Sequence, residues 1–219
     1  MNGRHEIKHL INESDRAQLR ARLRAVMKPD GHGGAYTVRS LYFDNFSDKA
    51  VLDKLSGQSR REKFRFRLYN GDTSFIRLEK KSKINRLCYK ESAVLGAEIC
   101  AAVLAGDFSP LNNPESPLMT ELYAKMRGQC LRPKNVVEYR REAYLYRPGN
   151  VRVTFDSGIR TSNHPVGFLN PGLKTIPAAE GIVLEIKYDA FLPDIIRDLL
   201  QIGFRNQTEF SKYVVARLV

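Results

Sequence analysis

The segment from Arg60 to Lys83 constrains the fold most, because it has the pattern of a β-hairpin with one apolar and one charged face. Two runs of strand-forming residues flank Asn70-Gly71, a strong hairpin signal, and side chains alternate between the two faces of each strand. The apolar face carries Phe64, Phe66, Leu68, Ile76 and Leu78. The other face carries six cations and one carboxylate: Lys63, Arg65, Arg67, Arg77, Lys81, Lys83 and Glu79. The segment therefore predicts two paired strands with a core on one side.

The charged face of this hairpin needs a source of negative charge, because like charges on paired strands destabilise a sheet. Solvent ions and an anionic ligand are the two candidate sources. The chain of 219 residues carries a formal net charge of +12 and has a sequence pI near 9.7. This excess favours polyanionic partners such as nucleic acid, nucleotides, polyphosphate or anionic lipid, although a soluble basic surface gives the same composition. Both interpretations stay open at this point.

Charged faces recur on other predicted strands. They comprise Arg4, Glu6 and Lys8; Arg152, Thr154 and Asp156; Glu185 and Lys187; and Arg141 in line with Tyr139. One such face is usually exposed to water in an antiparallel sheet. Repetition of the pattern, mostly with Arg and Lys, instead favours a common charged interior.

We therefore predict an α+β fold in which antiparallel strands form a closed β-barrel with a charged interior and helices packed outside. No linker or fixed-period repeat divides the chain, so residues 1–219 are expected to form a single domain. Cations in a confined interior suit phosphate groups, and isolated carboxylates suit a Mg²⁺ or Mn²⁺ ion on those phosphates. Phosphoryl transfer needs both kinds of group, since its catalysis is mostly positioning and charge neutralisation.

The helical segments follow from apolar spacing and capping residues. Helices are predicted after the first strand, with Asn12 or Ser14 as the cap, and at 49–55, 93–104, 117–129 and 193–201. Thr208 is a candidate cap for a last helix that carries Lys212. The aromatic residues Tyr42, Phe43, Phe64 and Phe66 are assigned to the strand faces opposite the charges, and core packing is expected for them.

Cysteine content and hydropathy exclude several classes of protein. Cys88, Cys100 and Cys130 are odd in number and lack CxxC spacing, which argues against a disulfide framework and a zinc site. No apolar run reaches the length of a membrane-spanning helix, and the N-terminal residues lack the apolar core of a signal peptide. A cytoplasmic location is therefore expected, with no membrane segment in this chain.

An ordered series of short motifs resembles a known family. The motifs are RHEIKHLI at Arg4, SLYFDN at Ser40, KFRFR at Lys63, LEKK at Leu78, VEYRREAY at Val136, RVTFD at Arg152, LEIKY at Leu184 and FSKY at Phe210. Together they resemble the VTC (vacuolar transporter chaperone) polyphosphate polymerase domain of the triphosphate tunnel metalloenzymes, the CYTH-like group. The resemblance implies a closed eight-stranded antiparallel tunnel that binds a triphosphate. It also implies transfer of the γ-phosphate of ATP to a growing polyphosphate chain, with Mn²⁺ or Mg²⁺ as cofactor.

The resemblance further implies roles for individual residues. The catalytic wall that grips phosphates would consist of Lys8, Arg65, Arg67, Lys81, Arg141, Arg152 and Lys212. Further phosphate-binding residues would be Lys63, Arg39 and Lys187, and the metal ligands would be Glu185, Glu79 and Glu6. Position 4 is Arg, where many tunnel hydrolases and cyclases show the first Glu of an ExExK motif, and this departure favours the polymerase-like branch.

Two other kinds of function stay open. A triphosphatase acting on inorganic or nucleoside triphosphates, or a nucleotidyl cyclase, would use the same tunnel. A non-catalytic domain that binds polyphosphate or RNA would also explain the basic faces. On the leading interpretation ATP and polyphosphate are the partners, no specific nucleic acid is expected, and the oligomeric state is left open.

Overall fold

The computed structural model describes residues 3–203 and 206–219, and within them ten strands form one antiparallel sheet. The strands are β1 (His5–Ile11), β2 (Lys28–Pro29), β3 (Tyr36–Asp44), β4 (Arg60–Tyr69), β5 (Ile76–Ile84), β6 (Leu87–Leu95), β7 (Arg132–Tyr146), β8 (Val151–Ser162), β9 (Ile176–Pro177) and β10 (Ile182–Tyr188). Eight of them follow the order β1-β10-β8-β7-β3-β4-β5-β6, while β2 pairs with β7 and β9 pairs with β8. The predicted α+β class with a large antiparallel sheet is confirmed.

The sheet is not closed into a barrel, so this part of the prediction is wrong. Its two edge strands, β1 and β6, meet at an isolated bridge where Arg4 and Cys88 exchange two backbone hydrogen bonds of 3.0 Å. Farther along β1, the C-terminal segment takes the free edge: the Thr208 N–H donates to the Lys8 carbonyl, and Gln207 bridges to His9. The edge of β1 that a closed barrel would pair with β6 is therefore used partly by another segment.

Six α-helices flank the sheet in the described part of the chain. They are α1 (Glu13–Arg24), α2 (Lys49–Leu55), α3 (Ala97–Leu104), α4 (Pro117–Gly128), α5 (Asp194–Leu199) and α6 (Lys212–Arg217). Short 3-10 turns lie at Ser109–Leu111, Pro148–Asn150 and Pro165–Leu169. None of the helices in the described residues combines the length and the apolar character that crossing a membrane requires.

The outer face of the sheet is covered by helices in two apolar layers. Near α3 and α4, side chains of β4 and β5 such as Phe66 and Leu78 are fully buried. Near α1, Leu19 and Leu23 belong to one core with Phe155 of β8 and residues of β10. Because burial of apolar surface is the main favourable term in folding, these layers fix which face of each strand points outward.

The inner face of the sheet is divided into an apolar and a charged part. In the apolar part, Tyr36, Val38 and Val137 lie in one cluster with Tyr213 and Val214 of α6. The charged part is described below. The C-terminal helix thus fills one portion of the concave side and leaves the other portion to polar side chains.

Several local predictions are confirmed and two need correction. The helix at 49–55 has the predicted bounds, and Asn12 caps α1 by accepting from the Asp15 N–H at 2.9 Å. The helix predicted at 93–104 begins at Ala97, because Ala93 to Leu95 continue β6 beside β5. The last helix is capped by Ser211 rather than Thr208, since the Ser211 hydroxyl accepts from the Val214 N–H.

The hairpin at 60–83 is confirmed, with a longer connection than a two-residue turn. Asn70 and Gly71 both adopt positive φ, 51° and 73°, as the Asn-Gly signal requires. The pair of residues nearest the turn is Arg67 with Arg77. The two strands are connected by residues 70–75.

Candidate active site

A cavity of about 270 Å³ lies on the inner face of the sheet, lined by β1, β3, β4, β5, β6, β7, β8, β10 and the start of α6. Its lining contains Glu6, Lys8, Lys63, Arg65, Arg67, Glu79, Lys81, Arg141, Arg152, Glu185, Lys187 and Lys212, together with Arg4, Tyr42, Tyr69, Cys88, Tyr89, Lys90, Tyr139 and Ser211. We call it the main cavity. Every residue of the predicted site except Arg39 is in this lining.

Strand register explains why the charges of the main cavity are arranged as pairs. Residues directly opposite on neighbouring strands are Lys8 and Glu185, Glu6 and Lys187, Arg65 and Glu79, and Arg141 and Asp156. Opposite charges in such positions stabilise a sheet, whereas Lys63 and Lys81 are a like-charged pair. The cations therefore have internal counter-ions, and a smaller excess of positive charge is left to attract an anion.

Glu6 and Glu185 share two lysines. Glu6 lies 2.9 Å from Lys8 Nζ, 2.6 Å from Lys81 Nζ and 3.6 Å from Lys187 Nζ. Glu185 lies 2.6 Å from Lys187 Nζ and 3.7 Å from Lys8 Nζ. Burial alone would raise the pKa of both carboxyls, but the surrounding lysines hold each pKa well below its usual range. Both groups are therefore ionised at neutral pH.

This carboxylate pair fits the chemistry of a Mg²⁺ or Mn²⁺ site. Both ions prefer oxygen ligands, and on a polyphosphate one or two protein carboxylates suffice because phosphate oxygens and water complete the shell. Among the described residues, no cluster of three or more His, Cys, Asp or Glu side chains is placed to hold a metal without such help. Glu6 and Glu185 are thus suited to a metal that arrives with a phosphate ligand.

Glu79 contacts a different set of cations. One of its carboxylate oxygens lies 2.6 Å from Arg65 Nη2 and 3.6 Å from Arg67 Nη1, and the other binds Lys90. Burial would raise the pKa of Glu79, but Arg65, Arg67 and Lys90 together hold it well below its usual range. Burial also lowers the pKa of Lys90 to about 8, against the attraction of Glu79. In these contacts Glu79 binds other cations than the lysines that Glu6 and Glu185 share, and its role as a helper of Glu185 at a metal stays a prediction.

Asp156 is a site residue that the sequence analysis left out of its predicted set. Its carboxylate receives two hydrogen bonds from Arg141, of 2.6 and 2.7 Å, and lies 2.6 Å from Lys212 Nζ. Burial would raise the pKa of Asp156, but Arg141 and Lys212 lower it to about 2. The alternation of Arg152, Thr154 and Asp156 along one face was the signal that could have identified it. Asp156 holds cations from β7 and α6 in fixed positions.

Tyr42 and Lys63 form the most unusual acid–base pair of the cavity. The Tyr42 hydroxyl accepts a hydrogen bond of 3.1 Å from Arg65, and Lys63 Nζ lies 5.6 Å from the Tyr42 ring centroid. Burial would raise the pKa of Tyr42, but Arg65, Lys63 and Arg67 lower it to about 7. Burial, with repulsion from Lys81 and other cations, lowers the pKa of Lys63 to about 7. An anion in the cavity would favour the charged form of Lys63.

Arg152 marks one end of the main cavity. Its guanidinium donates to Asp30 at 2.8 Å and to the Tyr36 hydroxyl at 3.0 Å, and Tyr36 also donates to Asp30 at 2.8 Å. Asp30 follows β2, so a loop outside the main strand path orients this arginine. The cation wall is therefore fixed at this end as well.

The whole described chain, including the residues of the main cavity, matches one protein family. The family model of the VTC domain matches residues 3–219. The chain belongs to the VTC domain family. This match covers both the strands that line the main cavity and the C-terminal segment that carries Lys212. Among curated proteins, no sequence relative matches this VTC domain.

Solved structures with a similar fold are distant in sequence. The PH1819 protein from Pyrococcus horikoshii is 15% identical, with a TM-score of 0.50 and coverage of 98% of each chain. A candidate adenylate cyclase from Bacillus halodurans is 15% identical, with a TM-score of 0.49 and coverage of 90% of the VTC domain and 87% of that chain. At this level of identity the likeness concerns the fold alone.

Two predicted placements in the VTC domain are wrong, and both concern β3. Arg39 lies outside the main cavity, where it binds Glu138 at 2.7 Å and the carbonyl oxygens of Phe168 and Asn170. Tyr42 is buried and stacks on Tyr213 at 4.7 Å, which confirms its core packing, but it does so on the face that lines the cavity and not on the face opposite the charges. On β3 the side chains of Tyr36, Val38 and Tyr42 face inward, whereas Leu41 and Phe43 face the outer core on the same side as Arg39.

Proposed function

We propose that this VTC domain is a metal-dependent polyphosphate polymerase that transfers the γ-phosphate of ATP to a growing polyphosphate chain in the cytoplasm. The observation that carries the proposal is the convergence of cations from seven strands and one helix on a single cavity that also contains the Glu6 and Glu185 pair. A run of phosphates is a ligand that can neutralise such a wall at several points at once.

The arginines and lysines of the wall suit different parts of this task. Arg65, Arg67 and Arg141 are planar forks that bind phosphate oxygens bidentately, and each is oriented by a fixed partner before a ligand arrives. Lys8, Lys81 and Lys187 are compact charges whose present partners are Glu6 and Glu185. Because phosphoryl transfer depends mostly on positioning and charge neutralisation, pre-oriented cations are the contribution expected of the protein.

Glu6 and Glu185 are the proposed ligands of a Mn²⁺ or Mg²⁺ ion. When bound there, such an ion would neutralise negative charge that develops on the phosphate during transfer. The two carboxylates hold Lys8, Lys81 and Lys187 close to the same place, so phosphate oxygens that enter there meet both kinds of group. Lys63, with its pKa lowered to about 7, takes up a proton as the anion arrives.

The decisive experiment is to incubate the purified protein with ATP and Mn²⁺ and to resolve the products on a gel stained for polyphosphate. We expect polymer and ADP from the wild type. Glu185→Gln keeps the size of the side chain but removes its charge and replaces one acceptor oxygen by an NH2 donor; it should fold normally but lose turnover. Glu91→Gln, on β6 and 3.6 Å from Lys80, is the matched control and should keep its activity.

Other outcomes of this assay assign other functions. Free phosphate without polymer identifies a triphosphatase, and cyclic nucleotide identifies a cyclase. Binding of polyphosphate or RNA without turnover, indifferent to metal and to Glu185→Gln, identifies a non-catalytic binding domain. If the wild type yields neither polymer nor ADP, the proposal is wrong.

A further inference from the structure

A second, smaller pocket adjoins the main cavity where the C-terminal segment crosses β1. Its volume is about 80 Å³, and it shares Glu6, Lys8, Lys63, Lys81, Cys88 and Ser211 with the main cavity. Its other lining residues include Lys54 of α2, Arg61 of β4, Lys83 of β5 and Arg86. We call it the mouth pocket. The shared residues make the two spaces neighbours, so an extended ligand can pass from one to the other.

Three cations of the mouth pocket surround the carboxylate of Glu209, while Glu6 and Glu62 are the other carboxylates in its lining. It binds Lys54, and its oxygens lie 3.7 Å from Arg61 Nη2 and 3.6 Å from Lys83 Nζ. The hydrogen bond from Lys54 and the nearby cations lower its pKa, so it carries its negative charge at neutral pH. Three cations from three different elements thus surround one anionic group, an arrangement that also suits a phosphate.

Exposure differs sharply between the two sides of these ion pairs. The side chains of Lys54, Arg61 and Lys83 are 17, 15 and 25% exposed, whereas that of Glu209 is 70% exposed. Charge on half-buried cations is costly unless it is compensated, so the three side chains retain a strong preference for an anion. An exposed carboxylate on a short segment gives up its place easily, because exposed ion pairs are worth little.

We propose that the mouth pocket is a second phosphate-chain site, in which Glu209 is the resident counter-ion and is displaced by a polyphosphate that extends beyond the main cavity. The inference rests on the proposed function and extends it, because it makes the protein prefer long chains to short ones. Tripolyphosphate fills the main cavity alone, whereas a long chain reaches Lys54, Arg61 and Lys83 as well.

The lining favours a phosphate chain over single-stranded RNA. RNA-binding grooves pair their cations with aromatic platforms on which bases stack. In the mouth pocket the aromatic residue of the lining is Phe210, which packs against the apolar cluster around α6. Lysines without a stacking partner recognise charge and spacing, which a phosphate chain provides along its whole length.

The test measures the affinity of the full chain for long-chain polyphosphate and for tripolyphosphate, without ATP. The double variant Lys54→Gln/Lys83→Gln should weaken long-chain binding by roughly tenfold or more, as expected for lost charge-assisted contacts. Its affinity for tripolyphosphate should stay within about twofold. Lys134→Gln is the matched control, because the Lys134 side chain is 22% exposed and pairs with Asp48, and neither residue lines the main cavity or the mouth pocket.

Glu209→Gln provides an independent arm that does not depend on the stability of the double variant. Removing the resident carboxylate should tighten long-chain binding several-fold and leave tripolyphosphate unaffected, whereas Glu13→Gln, an equally exposed carboxylate, should change neither affinity. Unchanged long-chain affinity in both arms overturns the proposal, and so does equal weakening of both ligands. Tighter binding of single-stranded RNA through the same lysines also overturns it.

The experiment separates this proposal from the proposed function. If the wild type does not bind tripolyphosphate, the assignment of the main cavity fails. Long-chain binding that still depends on Lys54, Lys83 and Glu209 then supports the mouth pocket as a site in its own right.

Discussion

Replacing Asp156 by Asn tests whether internal counter-ions stabilise the cation wall. The side chain is fully buried, and Asn keeps its shape while removing the negative charge between Arg141 and Lys212. The variant leaves two buried cations without their carboxylate. We expect it to fold with reduced stability and to regain stability when a phosphate ligand replaces the missing charge.

The magnitude follows from the pKa of Asp156. Burial alone would raise this pKa, but Arg141 and Lys212 lower it from 3.8 to about 2. At about 1.4 kcal/mol per pH unit, the difference corresponds to about 2.5 kcal/mol of stability at neutral pH. Because the folded pKa is the lower one, this contribution is complete above the unfolded value and is lost as the pH falls through about 2. Leaving Arg141 and Lys212 buried without their counter-ion destabilises the fold further, so a loss of about 2.5–4 kcal/mol in the free energy of unfolding is expected.

Chemical denaturation at pH 7 measures this loss directly. The control is Asp194→Asn, because Asp194 forms an exposed pair with Arg197 at 2.9 Å, and a change below about 1 kcal/mol is expected for it. Repeating both curves with tripolyphosphate should stabilise Asp156→Asn at least as much as the wild type. A loss below about 1 kcal/mol for Asp156→Asn would refute the argument that the carboxylate holds the wall together.

Three further predictions concern binding in the main cavity. Arg67→Ala should weaken tripolyphosphate binding by about 1.5–3 kcal/mol in titration calorimetry, whereas Arg39→Ala should leave it unchanged; equal effects would contradict the assignment of faces. Tripolyphosphate affinity should fall as the pH rises through about 7, because the bound anion favours protonated Lys63, and calorimetry in buffers of different ionisation enthalpy should detect proton uptake. Ultraviolet titration should show one tyrosine ionising near pH 7, and Tyr42→Phe should abolish that step; its persistence in the variant would assign it elsewhere.

The charged strand faces could be predicted because alternation along a strand is a local geometric rule. The face shared by Lys63, Arg65 and Arg67 follows from spacing alone, and register then brings Glu79 opposite Arg65. The same rule identifies Glu185 and Lys187 beside two apolar neighbours. Where every second residue of a strand is apolar, the sequence indicates which face packs in an apolar core and which face carries the charges.

The orientation of β3 could not be predicted by this rule. Its residues Tyr36, Val38 and Tyr42 face inward beside the charged cavity, while Arg39 faces outward toward Glu138. Both faces mix apolar and polar residues, so alternation does not distinguish them. The direction is decided by partners that are distant in sequence, among them Tyr213 of α6.

The role of Asp156 and the open edge of the sheet also depend on distant partners. Asp156 gains its importance from Lys212, which is brought close by the C-terminal helix. Residues 207 and 208 pair with β1 and thereby occupy part of the edge that a closed barrel would use. Neither contact leaves a periodic trace in the sequence.

The bridge between Arg4 and Cys88 has a consequence for the size of ligand that the protein can accept. In a closed barrel the number and stagger of the strands fix the diameter, so widening one part means breaking a complete ladder. Here, within the described residues, two backbone hydrogen bonds join the first and last strands of the path. Widening the cavity at this junction breaks those two bonds and the ion pair between Glu6 of β1 and Lys81 of β5, while the charged ladders of β4, β5, β8 and β10 keep their register. The main cavity can thus change in width at this junction while the spacing of the charges along these strands stays fixed.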